Sequence, residues 1–333
     1  MLDQGELEHF TGYDIIGDVH GCADTLVNLL TRLGYHKQRG VWRHPKRLAV
    51  FLGDIIDRGP HIREALQIVH DMAEHNAATM IMGNHEYNAI GYETPAPDWL
   101  SDRDYLRPHN HHHNRLIAET KAQFEAHPGD WKDYLAWFKT LPLFIEFNDF
   151  RVVHACWDES LIHRYLAEFG TNQVDDRFII NSVNRDSFEG QVMDRLTRGT
   201  CLKLPDERVI TSRDGYQRRF FRTKFWAKTP ITYADVVYQP DPLPEDLMDR
   251  PLSEAERAQL LYYGPEHKPL FVGHYWLQGR PRPIRNNIAC LDYSAVKFGR
   301  LAAYRYDGEP QLCPEKFAWV YVNPPEWRQP EAD

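Results

Sequence analysis

Five short motifs gather residue types that bind metal ions and carry protons: Gly17-Asp18-Val19-His20-Gly21, Gly53-Asp54-Ile55-Ile56-Asp57-Arg58-Gly59, Gly83-Asn84-His85-Glu86, Val153-His154-Ala155 and Gly273-His274. Asp18 and His20 are two apart, so on an extended segment both project to one side. Asp54 adds a carboxylate, Asn84 an amide oxygen, and His154 and His274 two imidazoles. Three oxygen and three nitrogen donors suit borderline transition metals such as Mn, Fe or Zn better than Ca. The set is about twice what one ion needs. Two ions ~3.5–4 Å apart, bridged by Asp54 and a hydroxide, would use all six donors in an in-line attack on phosphorus.

Something must bring these motifs to one place, and the sequence supplies it. Tyr13 to Ile16, Arg47 to Leu52 and Thr79 to Met82 read as buried strands, rich in Ile, Leu, Val and Met. Leu26, Leu29, Leu30 and Leu33 make one helical stripe, stopped by Gly34. Ile62, Leu66, Val69 and Met72/Ala73 make a second. The first third is therefore βαβαβ, the signature of parallel strands covered by helices. Each of the first three motifs follows one of these strands. In an open α/β sheet, ligands collect at the carboxyl ends of strands.

Further on, residues 95 to 145 read as helical, with Trp131, Tyr134, Leu135 and Phe138 on a core-facing stripe and Pro142 as a stop. Phe144 to Phe147, Arg151 to Val153, Leu270 to Val272, Asn287 to Asp292 and Leu301 to Tyr306 read as strands, the last two joined through Lys297-Phe298-Gly299-Arg300 as a hairpin. The stretch from about 160 to 265 is charged, dotted with Pro and without a clear period. It reads as an insertion or cap within a single domain spanning 1–333, with turns at Leu204-Pro205 and Asp214-Gly215. The Pro-rich segment 324–333 reads as a disordered tail.

Composition limits the functional classes. At 42% hydrophobic and 26% charged, the 333 residues are those of an ordinary globular protein. A net charge of −9 argues against a sequence-independent nucleic-acid binder, which needs a basic face. An acidic site can still handle phosphate, because bound cations invert its local charge. The five scattered Cys suggest neither a disulfide framework nor a zinc ribbon, and Cys22 and Cys156 read as small buried residues. The first residues lack a signal peptide's n- and h-regions, and no run approaches the ~18 apolar residues of a membrane span. The expected location is cytoplasmic, with no membrane partner.

In order and combination, the motifs GDxHG, GDxxDRG and GNHE followed by separated His residues resemble the calcineurin-like metallophosphoesterases, in particular their bacterial phosphoprotein-phosphatase-like branch. The resemblance is dense over residues 13 to 90 and sparse around 154 and 274. It implies a four-layer α/β/β/α sandwich with two mixed sheets, and a hydrolase of phosphate esters with two divalent ions, manganese first and iron or zinc next. Asp18 and His20 would hold one ion, Asp54 would bridge, and Asn84, His154 and His274 would hold the second. His85 would protonate the leaving oxygen, oriented by Asp57. Arg58 would bind phosphate oxygens with its planar fork, beside Asn84. Glu86 would orient a ligand from behind rather than bind metal. A further phosphate-binding arginine is expected between the last two His motifs, where Arg213, Arg218, Arg219 and Arg222 compete with others.

The substrate expected is a phosphoprotein, a nucleotide or a small phosphoester. Met82 stands where eukaryotic-type protein Ser/Thr phosphatases usually carry Arg before Gly-Asn-His-Glu. Symmetrical dinucleoside tetraphosphatases share GDxxxRGP, including Pro60, but commonly have Ala at the place of Asp57. The phosphatase module of bacterial RNA-repair enzymes is similar across 13 to 86. A reading from another class, a silent binding module that keeps the fold, would be favoured by loss of a ligand, of Asp57 or of His85, and none is lost. The run from His109 to His113 reads as a solvated face, since adjacent imidazoles cannot all meet one ion.

Overall fold

The structure is a computed structural model that describes residues 10–211, 217–238 and 243–323. Arg213, the turn at Asp214-Gly215 and the segment 324–333 lie outside the described residues. Among the described residues two sheets face each other. In the larger, Gly12–Ile16 pairs in parallel with Arg47–Phe51, which pairs in parallel with Ala78–Met80. Arg300–Tyr306 runs antiparallel to Gly12–Ile16 and carries Asp292–Tyr293 and Phe317–Tyr321 as antiparallel partners. In the smaller, Ile288–Cys290, Leu270–Val272 and Arg151–Val153 are parallel, and Phe144–Glu146 is antiparallel to the last.

The period of two along each strand sorts side chains between two cores. Ile15, Val50, Leu52 and Ile81 point from the larger sheet into the space between the sheets, meeting Val152, Phe271, Ala289 and Leu291 from the smaller. The alternate residues, Ile16, Ala49, Phe51, Val153, Leu270, Val272, Ile288 and Cys290, face helices. Leu26, Leu29, Leu30 and Leu33 of helix Ala23–Leu33 and Ile62, Leu66, Val69 and Met72 of helix Ile62–Glu74 belong to that outer core. This is the expected four-layer α/β/β/α arrangement. It explains why the strands read as unbroken apolar runs: both faces are covered.

Several elements depart from the sequence reading. Helix does not begin near residue 95. Pro95, Pro97 and Pro108 keep the chain irregular, Pro95 bridges to Tyr105, and helix starts at His111 with the Asn110 side chain accepting from His113 N. His109 is stacked between Tyr92 and Tyr105 at 3.8 and 4.0 Å, and it stays exposed together with Asn110 and His111, in keeping with a solvated face. The expected strand Asn287 to Asp292 divides at Leu291, with one half in each sheet.

The stretch 160 to 265 has two textures. Helices Glu159–Phe169, Asp176–Asn181 and Phe188–Arg198 send Ile162, Tyr165, Phe178, Val192 and Leu196 into the main outer core. Between Leu202 and Leu252 a separate small core forms around Phe221 and Tyr233, beside two short antiparallel strand pairs, while Phe225 stays in the main core. No helix among the described residues is long and apolar enough to cross a membrane.

Candidate metal centre and active site

The motif loops all leave the carboxyl ends of parallel strands: Gly12–Ile16, Arg47–Phe51 and Ala78–Met80 in one sheet, Arg151–Val153 and Leu270–Val272 in the other. Since the sheets pack face to face, their loop ends meet. Tight backbone there requires the motif glycines. A Cβ on Gly83 would lie 2.3 Å from Asp54 Oδ1, and one on Gly273 would lie 2.1 Å from Asp18 Oδ1. His20, Asp54, Asp57, Arg58 and His274 all hold positive φ, a concentration of strained backbone typical of functional sites.

The structure brings together Asp18, His20, Asp54, Asn84, His85, His154 and His274, each between 0% and 8% exposed. Asp54 is the hub. Its Oδ2 lies 3.3 Å from His154 Nε2, 3.8 Å from His20 Nε2 and 3.9 Å from His85 Nε2. Two triads could hold a metal ion, His20–Asp54–His85 and Asp54–His154–His274, and they share Asp54. Asn84 Oδ1 is 2.7 Å from His274 Nδ1 and 3.3 Å from His154 Nε2. Asp18 stands outside both triads, beside them: its carboxylate accepts from His274 N at 3.1 Å.

The donor set suits cations on physical grounds. His20 Nδ1–H donates to Ile56 O at 2.8 Å and His154 Nδ1–H to Leu52 O at 2.6 Å, which turns each Nε2 inward. His20 Nε2 and His274 Nε2 are buried with no hydrogen-bond partner. Such orphans are costly unless something fills the space they face. Burial, then Arg58 and His85, push His20 well below the usual histidine range; burial, then Arg222 and His154, do the same to His274. Burial and the neighbouring Asp292 lift Asp18 well above the usual carboxylate range. On His154, burial opposes charge, but Asp54 outweighs it and raises the ring to about 10. Neutral imidazoles and crowded carboxylates facing one cavity are relieved by divalent cations.

Behind these groups lies a support layer. Glu86 is fully buried, and its two oxygens accept from Asp54 N, Gly83 N and Ile55 N at 2.8, 3.0 and 2.8 Å. His85 Nδ1–H donates to Asp57 Oδ2 at 2.5 Å. Asp57 Oδ1 accepts from Thr120 Oγ1 at 2.5 Å, while Asp57 N donates back to that hydroxyl at 3.1 Å. Arg58 lies over the Trp276 ring at 4.7 Å with its Nη1 buried and unpartnered. Of the arginines expected to compete for phosphate, Arg222 donates to His274 O at 3.4 Å, whereas Arg219 pairs with Glu207 on the surface. The Cys22 and Cys156 thiols are buried, and burial raises both to about 12.

Sequence reading missed Asp292 and Thr120. Asp292 is buried at the end of Ile288–Cys290, a strand parallel to the two that carry His154 and His274. It accepts from Trp276 N and Ser294 N, both at 2.9 Å. Its place at the carboxyl end of a parallel strand was the available signal. Thr120 had none, being one polar residue in an amphipathic helix.

A two-sheet α/β fold whose strand ends converge on paired His–Asp groups defines a metallophosphoesterase architecture. The calcineurin-like phosphoesterase family profile matches residues 13–209, and the chain belongs to that family of phosphate-ester hydrolases. Among curated relatives, bis(5'-nucleosyl)-tetraphosphatase PrpE (asymmetrical) of Halalkalibacterium halodurans is 49% identical over 74 residues, 22% of this chain and 30% of that protein. The enzyme of the same name from Oceanobacillus iheyensis is 45% identical over 73 residues, 22% of this chain and 29% of its own length. The chain thus matches under a third of the length of these relatives. Among solved structures, a protein serine/threonine phosphatase from Saccharomyces cerevisiae aligns with TM-score 0.48 at 15% identity, over 95% of this chain and 80% of that one. A cold-active protein-tyrosine phosphatase from a Shewanella species aligns with TM-score 0.47 at 17% identity, over 94% and 81%. Both likenesses are too slight to carry an argument.

Proposed function

We propose that this protein is a phosphatase dependent on two divalent metal ions, manganese first, acting on phosphate esters of small molecules. Asp18, His20 and Asp54 would hold one ion, and Asp54, Asn84, His154 and His274 the other. When bound, the ions supply Lewis-acid charge against phosphoryl oxygens and a strengthened nucleophile. The chain's own residues do the rest. Asp57, held by Thr120, fixes the His85 ring through Nδ1, which leaves Nε2 to deliver a proton to the departing oxygen. Arg58, held over Trp276 with its Nη1 unpartnered, would orient phosphate oxygens with its planar fork. Glu86 holds the Asp54 loop through the backbone amides of Asp54 and Ile55 and also accepts from Gly83 N at the start of its own helix.

One observation carries this reading: the His85–Asp57 pair stands over the same Asp54 carboxylate that the two triads share. A bare structural metal site has no use for that pair. The name of the relatives matched over the N-terminal motifs supports a nucleoside polyphosphate as substrate. Action in the cytoplasm is part of this proposal.

Purified protein given manganese should hydrolyse p-nitrophenyl phosphate and lose that activity when a chelator is added. Inertness with manganese, iron and zinc alike would overturn the reading.

A further inference from the structure

A cavity of about 200 Å³ is lined by Tyr87, Asn88, Arg107, Arg185 and Arg198 together with the half-buried His113. It adjoins the metal-directed residues through one helix. Asn84 and Asn88 are four residues apart on Asn84–Glu93, hence on one face and about 6 Å apart along the axis. Asn84 Oδ1 faces the imidazoles of His154 and His274. Asn88 Oδ1 accepts from two guanidinium groups, Arg107 Nη1 and Arg198 Nη2, both at 2.7 Å. Arg198 ends its helix immediately before Gly199, which lies against the hydroxyl of Tyr275, the residue after His274.

The charges in this cavity are not balanced within it. Neither Arg107 nor Arg185 has a carboxylate within ion-pair distance among the described residues, although Asp57, outside the lining, acts on Arg107 from further away. The one carboxylate in the lining, Asp194, sits 3.2 Å from Arg198 Nη1. Arg103, also on the rim, is closed on Asp102 at 2.9 and 2.6 Å. Two half-buried guanidinium groups converging on one neutral amide oxygen repel each other. Burial and Arg198 accordingly pull Arg107 down to about 10. In a chain of net charge −9, such a gathering of cations beside a phosphate-directed site calls for an anion. Planar guanidinium forks match phosphate oxygens two at a time, and the cavity has room for phosphate groups rather than an extended peptide.

We propose that this cavity is a subsite for a phosphate group beyond the one hydrolysed, so that the preferred substrate is a small molecule carrying a chain of phosphates. The inference rests on the phosphoesterase reading, and the test separates the two. Calorimetry on the full chain with manganese in excess would compare inorganic tripolyphosphate with orthophosphate, for wild type, Arg107→Met and Arg185→Met. Wild type should bind tripolyphosphate at least tenfold tighter. Each variant should lose about tenfold of that preference, the worth of one charge-assisted hydrogen bond. The Arg185 side chain is exposed, so Arg185→Met reports even if Arg107→Met fails to fold. Equal affinities for the two anions, or variants that keep the preference, would overturn the subsite. So would a phosphoserine peptide flanked by aspartates that depends on Arg107 and Arg185 more than tripolyphosphate does. Hydrolysis of p-nitrophenyl phosphate with no such preference removes the subsite alone. The preference without any hydrolysis upholds the cavity as a binding site for a chain of phosphates and removes the enzymatic reading.

Discussion

His85 is held by Asp57, and Asp57 is held twice by Thr120, so the ring has one orientation available to it. His85→Asn should therefore lower turnover by ~10²–10⁴-fold, the usual worth of a general acid, while bound metal stays unchanged by elemental analysis. Metal lost along with activity would make His85 a ligand rather than an acid, an outcome that its place in the His20–Asp54–His85 triad makes worth measuring. At this scale the sequence was most legible where residue type alone names the chemistry: Asp, His and Asn after glycine, at the ends of apolar runs. The support was harder to see. Thr120 is a hydroxyl on a helix, and Asp292 lies in the strand reading itself. Both become meaningful only when the fold places them beside Asp57 and Asp18.

Helix Asn84–Glu93 is the element that organises the centre. Its first turn carries Asn84, His85 and Glu86, and the last fastens the neighbouring loop by accepting from Asp54 N and Ile55 N while also accepting from Gly83 N at its own N-cap. Glu86→Ala leaves those buried donors unsatisfied and should cost about 2–5 kcal/mol, read as a lower urea midpoint. An unchanged midpoint would show that the loop holds its shape without Glu86. Most strands of the two sheets were legible because two-sided burial demands continuous apolar residues, as in Leu48 to Leu52, whereas the half-buried edge strand Phe317–Tyr321 was not read. Cys201–Lys203 and Phe220–Arg222, short and buried only at the middle residue, were not read as strands, whereas the equally short but fully buried Arg151–Val153 and Leu270–Val272 were. The irregular stretch before His111 was read as helix because its prolines were outweighed by what followed.

Across the whole molecule, the site lies where two sheets present their loop ends to each other, with carboxylates and imidazoles buried on both sides. A folded state that binds ions its unfolded chain does not is stabilised by mass action, about 2.7 kcal/mol at a hundred times the dissociation constant. Manganese should thus raise the thermal midpoint of chelator-treated protein, and further additions should raise it again. A midpoint indifferent to manganese would mean that the buried donors hold no metal. The pairing of the two sheets followed from the sequence only through family resemblance. Which apolar runs join which sheet depends on contacts such as Phe271 with Tyr304 across the middle layer, and no local pattern encodes them. The texture of residues 160 to 265 was equally mute about its division between the main core and the separate one around Phe221 and Tyr233.

The central claim is that Asp54 serves two ions at once, and metal counting tests it most directly. Wild-type protein loaded with manganese and desalted should carry close to two ions per chain by mass-spectrometric elemental analysis. Asp54→Asn, folded by circular dichroism, should carry none and should not hydrolyse p-nitrophenyl phosphate. An Asp54→Asn protein that keeps one tightly bound ion would contradict the shared carboxylate on which the account stands.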